Sequence, residues 1–225
     1  MTRLVIFDVD GTLVDSQGAI TRAMTAAFVD NALPAPDLGD ILAIVGLSLE
    51  QAMLKLAPHR SAGQRANLVE AYKDAYHSQR VLAGAASGSP LFPGALDTLH
   101  ALARQDGVLL GVATGKSRRG LDALLDAHGL THLFVTTQVA DDHPSKPHPS
   151  MIDAALTETG CDAGRAAMIG DTTFDMQMAT AAGVAGVAVG WGYHPAENLR
   201  AHSDHLIDVF ERLPAKLNDI WGIRQ

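Results

Sequence analysis

Asp8-Val9-Asp10-Gly11-Thr12-Leu13-Val14-Asp15 follows directly on the apolar run Leu4-Val5-Ile6-Phe7, and the join between the two decides how the chain is read. A short apolar run bounded by turn residues predicts a buried strand. Two carboxylates one residue apart at its end, followed by a glycine, concentrate negative charge that only a cation or a proton makes tolerable. Side chains alternate with a period of two along extended backbone, so Asp8 and Asp10 should share one side and converge on one ion. Oxygen ligands with no cysteine nearby predict a hard cation, and Mg2+ where the ligand also brings phosphate oxygens. A calcium loop of the EF-hand kind needs more acidic ligands after the glycine and a terminal Glu, and neither follows here.

Working outward, Ser16 can cap a helix in which Ile20, Met24, Ala27 and Phe28 fall on one face, ended by Pro34 and Pro36. Ser48-Leu49-Glu50-Gln51 and Ser61-Ala62-Gly63-Gln64 both have the capping-box pattern of a helix start. Leu68, Tyr72 and Tyr76 make a further stripe, read as the apolar face of a helix. Residues 16–87 therefore read as an all-helical unit, and the Gly, Ala, Ser and Pro composition from Gly84 to Pro90 reads as a hinge.

Beyond it the pattern changes. Val108 to Ala113, His132 to Thr136, Ala166 to Ile169 and Val184 to Val189 read as strands. Helices are predicted over Pro93 to Arg104, Arg118 to His128, Met151 to Thr159 and Phe174 to Ala182, with Gly129, Gly160 and Gly183 where C-terminal caps belong. A last strand near His205 to Ile207 and a helix from Val209 to Leu217 complete the reading. Alternating strands and helices imply an α/β fold, a Rossmann-like parallel sheet with helices on both faces, which the first strand joins across the helical insert. The expected division is a core of 1–15 and 88–225 with an inserted helical domain of 16–87.

Composition bounds the function. The 225 residues carry a formal net charge of -8, which argues against a general affinity for nucleic acid or anionic membrane. An apolar content of 47% is ordinary for a globular protein, and no uninterrupted apolar segment is long enough to span a bilayer. Asp8 and Asp10 interrupt the first apolar run too early for a signal peptide. Cys161 is the single cysteine, so no intramolecular disulfide is possible and the cytoplasm is the expected location.

In a parallel sheet, ligands bind outside the carboxyl ends of the strands. There the sequence places Thr114-Gly115-Lys116, then Lys146-Pro147, then Gly170-Asp171-Thr172-Thr173-Phe174-Asp175. With Asp8 to Asp15, and in this order, these stretches resemble the four motifs of the haloacid dehalogenase superfamily of aspartyl-phosphate phosphatases. The resemblance runs from Leu4 to about Val189, with the helical insert where that superfamily carries its cap. It implies that Asp8 is the nucleophile and Asp10 the general acid and base. Thr114 and the Gly115 N–H would bind nonbridging phosphate oxygens, and Lys146 would neutralise charge on the phosphoryl group and on Asp8. Asp8, Asp10, Asp171 and Asp175 would form the Mg2+ site.

The Asp-Gly-Thr-Leu form with a helical cap is similar to phosphoglycolate phosphatases and related small-molecule phosphatases. The implied function is Mg2+-dependent hydrolysis of a small phosphorylated metabolite, with 2-phosphoglycolate a family-level candidate. A sugar phosphomutase of the β-phosphoglucomutase type would share every catalytic residue, and a non-catalytic binding protein on the same fold is a third class. Asp10 argues against the dehalogenase branch, which normally lacks the second carboxylate.

Gly111 to Ser117 is one residue short of a nucleotide-binding P-loop. His143 and His148 match no zinc spacing and read as surface residues. Arg118, Arg119 and His194 are candidates to reach substrate from a rim, and Cys161 reads as packing or surface. Oligomeric state has no signature in the sequence.

Overall fold

A computed structural model describes residues 2–223. The chain forms β1 (Arg3–Phe7) and then a run of helices, α1 (Gln17–Asp30), α2 (Leu38–Leu42), α3 (Leu49–Leu56), α4 (Ala62–Ala83) and the single turn α5 (Ala85–Gly88). Strands and helices then alternate through α6 (Ala95–Ala103), β2 (Val108–Thr114), α7 (Arg118–Ala127), β3 (Phe134–Val139) and α8 (Ser150–Thr159). They continue through β4 (Ala166–Gly170), α9 (Thr173–Ala181), β5 (Ala185–Val189), α10 (Ala196–Arg200), β6 (Leu206–Ile207) and α11 (Leu213–Ile220).

The sheet order is β3-β2-β1-β4-β5-β6, parallel throughout. Strand alternation sorts β1 between two cores. Val5 and Phe7 pack with Leu99, Val112, Leu124 and Leu213 on one face, while Leu4 and Ile6 pack with Met151, Met168 and Ala179 on the other. Helices thus cover both faces, as parallel sheets require. Strand order reverses between β1 and β4, which opens a crevice at their carboxyl ends.

The inserted helices have an apolar cluster of their own, including Ile20, Met24, Phe28, Ile41, Leu47, Met53 and Leu68. The two chain crossings between insert and sheet lie side by side. The Asp15 N–H donates to the Pro90 carbonyl and the Phe92 N–H to the Leu13 carbonyl. The stretch read as a hinge is partly ordered, since Gly84 breaks α4 and α5 follows it at once.

Most predicted elements lie within a residue or two of their observed bounds. β3 does not: it runs Phe134–Val139 rather than His132 to Thr136, and residues 131–133 form a 3-10 turn. Its inward positions include Thr136 and Gln138, which an apolar pattern cannot find. They are satisfied in place, because the Thr136 hydroxyl and the Gln138 amide donate to Glu158 at 2.5 and 2.9 Å and His143 Nε2 lies 2.8 Å from Gln138 Oε1. His143 is therefore half-buried in this network rather than a surface residue, while His148 is exposed. The final helix is Leu213–Ile220, preceded by a 3-10 turn at Phe210–Arg212. The capping box forms at Ser61 and Gln64. It does not form at Ser48, whose backbone N–H instead donates to Ser145 Oγ at 2.9 Å.

Candidate active site

Asp8 is the first residue past β1, 1% exposed, its N–H donating to the Ile169 carbonyl at 2.9 Å so that the β1–β4 ladder continues to its Cα. The chain then coils tightly: the N–H groups of Thr12, Leu13 and Val14 all converge on the Val9 carbonyl. Gly11 sits at φ +84°, and a Cβ there would stand 2.2 Å from Asp171 Oδ2. Only glycine allows this turn to approach that carboxylate.

Asp8, Asp171 and Asp175 each offer an oxygen within 4.8 Å of the others, and all three are buried. Lys146, 2% exposed, places its ammonium 2.9 Å from Asp8 Oδ1 and 2.7 Å from Asp175 Oδ1. Its orientation leaves neither Asp8 oxygen with a hydrogen bond, although both are buried. Burial pushes the Asp8 carboxyl up to about 7, with Asp175 adding to the rise and Lys146 opposing it. Burial, then the charges of Asp175 and Asp8, hold Asp171 well above the usual carboxylate range. Burial works against charge on Lys146, but Asp175 and Asp8 outweigh it and keep the ammonium protonated.

These residues fit a divalent cation. Among the described residues three buried carboxylates face one ammonium, and neither Asp8 oxygen makes a well-directed hydrogen bond, so the cluster carries negative charge that an oxygen-seeking metal would offset. Asp171 is aimed by Thr12 Oγ1, donating at 2.8 Å to Oδ1, and by the Tyr193 N–H, donating at 2.9 Å to Oδ2. Asp175 has both oxygens engaged, Oδ1 by Lys146 and Oδ2 by the N–H and hydroxyl of Thr172. Thr172, not Asp171, caps α9, in a capping box with Asp175.

Asp10 does not join this cluster. Its carboxylate accepts from Lys116 Nζ at 2.7 Å on Oδ1 and 2.8 Å on Oδ2, and from the Ser16 hydroxyl at 2.5 Å. The expectation of a shared ion with Asp8 assumed extended backbone, but β1 ends at Phe7 and the coil beyond it turns Asp10 elsewhere. Ser16, read as a side-chain cap, serves Asp10 instead. In the sequence Lys116 stands out only within Thr114-Gly115-Lys116, and its position two residues past the last residue of β2 does not name Asp10 as its partner.

Thr114, 1% exposed, ends β2, and its Oγ1 accepts from the Lys116 N–H at 3.2 Å. Gly115 adjoins the insert, since a Cβ there would stand 2.6 Å from the Gly46 carbonyl oxygen and 2.7 Å from that of Leu47. A cavity of about 300 Å³ lies between sheet and insert, lined by Asp8, Asp10, Thr114, Gly115 and Lys116 from below and by Met24, Leu47, Tyr72 and Tyr76 from above. Tyr72 and Tyr76, stacked with centroids 5.8 Å apart, are cavity wall as well as apolar stripe, and the Tyr76 hydroxyl accepts from Lys116 at 3.2 Å. Of the rim candidates Arg119 lines the cavity. Arg118 turns to Thr137 and Asp142 instead, and His194 packs against Phe174 while its Nδ1 accepts from the Thr173 N–H. Cys161 is buried in the core behind β1. No helix among the described residues is long and apolar enough to cross a membrane.

Comparison with known proteins agrees with this architecture. The family model described as haloacid dehalogenase-like hydrolase matches residues 5–189. A probable phosphatase, IndB, of Dickeya dadantii is 38% identical over 95% of this chain and 92% of its own. A phosphoglycolate phosphatase of Caulobacter vibrioides is 35% identical over 93% of this chain and 88% of its own. Among solved structures, a haloacid dehalogenase-like hydrolase of Streptococcus pneumoniae superimposes with a TM-score of 0.82 at 27% identity, covering 95% of this chain and 97% of that one. From the carboxylate cluster at the β1–β4 crevice to the order of its motifs, the chain belongs to the haloacid dehalogenase-like hydrolases.

Proposed function

We propose that this hydrolase is a Mg2+-dependent phosphatase that transfers the phosphoryl group of a small phosphate monoester to Asp8 and then to water. The observation that carries the reading is the Asp8 carboxylate, buried at the cavity floor with neither oxygen hydrogen-bonded and an ammonium 2.9 Å away. A carboxylate with so few partners keeps lone pairs for attack, and Lys146 beside it offsets the repulsion between it and an anionic substrate.

Bound by Asp8 and Asp171, with Asp175 behind them, Mg2+ would neutralise charge on the transferring phosphoryl group. Asp8 forms the new P–O bond as the bond to the leaving oxygen breaks, while Asp10 delivers a proton to that oxygen. Asp10 then takes a proton from the water that attacks phosphorus, which releases phosphate and restores Asp8. The Thr114 hydroxyl and the Gly115 N–H hold the nonbridging oxygens. Residues 16–87 act as a cap over a core of 1–15 and 88–225, excluding water during transfer and opening at the paired segments around Asp15 and Pro90. A single buried thiol and acidic net charge suit a cytoplasmic enzyme of small metabolites.

The test is phosphate release from a panel of monoesters, including 2-phosphoglycolate and hexose phosphates, with Mg2+ and with chelator. Metal-dependent release supports the reading, and concentration on 2-phosphoglycolate would make that the substrate. Isomerisation of a sugar phosphate without net release would select a phosphomutase. No turnover and no isomerisation would leave the binding-protein class.

A further inference from the structure

We propose that the outer end of the cavity is a second anion site, so that the substrate is a phosphate monoester carrying a further carboxylate or phosphate beyond an apolar spacer. This rests on the phosphatase reading above. Arg80 of α4 and Arg119 of α7 both lie against one imidazole: Arg80 is 3.1 Å from His77 Nδ1, and Arg119 is 3.1 and 2.9 Å from its two ring nitrogens. Arg80 also reaches the Arg119 carbonyl, at 3.4 Å.

Among the described residues neither guanidinium has a carboxylate within ion-pair distance. Two like charges brought together without a counterion repel, and an anion between them removes the repulsion. Lys73 adds positive charge and is held by Glu70 at 2.8 Å, while Asp141, also on the cavity wall, accepts from the Arg118 N–H and forms no ion pair with either arginine. The net charge of -8 over the whole chain makes this concentration of positive charge a local feature, not a general one.

The same cavity is lined by buried Asp8, by half-buried His77 and Arg80 and by exposed Arg119, with Met24, Leu47 and the Tyr72 ring among the walls. A substrate that fills it presents phosphate to Asp8, apolar body to those walls and a second anion to the paired guanidinium forks, whose geometry matches carboxylate and phosphate oxygens. Its volume, about 300 Å³, is at the lower end of the range for ligand pockets and leaves room for a ring-sized body. Because Arg80 belongs to the insert and Arg119 to the sheet layer, the anion would also tie the two together.

The experiment compares 4-carboxyphenyl phosphate and 1,4-phenylene bisphosphate with phenyl phosphate on the wild-type protein and on Arg80→Gln and Arg119→Gln. The wild type should favour an anionic ester over phenyl phosphate by about tenfold in kcat/KM, and that ratio should fall towards one in either variant. The better of the two anionic esters tells carboxylate from phosphate. Equal kcat/KM for all three esters, or a preference that survives both substitutions, would overturn the proposal. Calorimetric binding of 4-carboxyphenylphosphonate against phenylphosphonate separates the two readings. Tighter arginine-dependent binding with no phosphate released from any ester would sink the phosphatase reading and keep the anion site.

Discussion

Lys116 grips both carboxylate oxygens of Asp10, at 2.7 and 2.8 Å, and at the same time donates to the Tyr76 hydroxyl of the insert at 3.2 Å. One ammonium therefore links the proposed proton-transfer residue to the helical insert. Burial works against its charge, and Asp10 with Tyr76 more than restores it, so Lys116 stays protonated.

Removing that link should disorder Asp10 without touching Asp8. We expect Lys116→Met to lower kcat by about ten- to a hundredfold with a smaller change in KM, and Lys116→Arg to recover part of the loss. Steady-state kinetics on a phosphate monoester check this. An unchanged kcat in Lys116→Met would mean that Asp10 needs no orientation from Lys116.

Among the described residues Lys146 is the one ammonium beside three buried carboxylates. Replacing it with Met leaves Asp8 and Asp175 buried without a cation, a loss of about 3–5 kcal/mol for a broken buried pair. Urea unfolding in chelator should show a loss of that size, and added Mg2+ should return part of it by supplying charge to the same cluster. Stability equal to wild type in chelator would contradict the electrostatic account.

The raised proton affinity of Asp8 sets a pH dependence. Its carboxyl titrates near 7 in the folded, metal-free protein and at about 3.9 in an unfolded chain. The folded state thus binds the proton more tightly. That contribution to stability is complete below about pH 4 and is lost as pH rises through about 7. In chelator, Asp8→Asn should therefore raise Tm more at pH 8 than at pH 5. Mg2+ must displace the proton where one is bound, so its binding at pH 6 should release more protons than at pH 8. Calorimetry in two buffers of different ionisation enthalpy reads this directly, and a heat independent of buffer at pH 6 would oppose it.

The parts legible in the sequence were those with local causes. Leu4 to Phe7 announces a buried strand by composition, and the order of Thr114, Lys146 and Asp171 along alternating strands and helices puts them at one sheet edge. Non-local partners were not legible. β3 was displaced because Thr136 and Gln138 are buried polar residues whose satisfaction depends on Glu158 and His143. Alternation carried past Phe7 puts the Asp10 carboxylate beside that of Asp8, but the chain has already left the strand there. The arginine pair joins residues 39 positions apart, through a contact between insert and sheet that no local pattern records.

In the proposed mechanism Asp8 carries the phosphoryl group. Acid quenching during turnover with Mg2+, followed by peptide mass analysis of the wild-type protein and of Asp8→Asn, reads this directly. A phosphoryl adduct is expected on the peptide containing Asp8, absent from the variant, with no steady-state turnover by that variant. Turnover by Asp8→Asn, or an adduct on another residue, would contradict it.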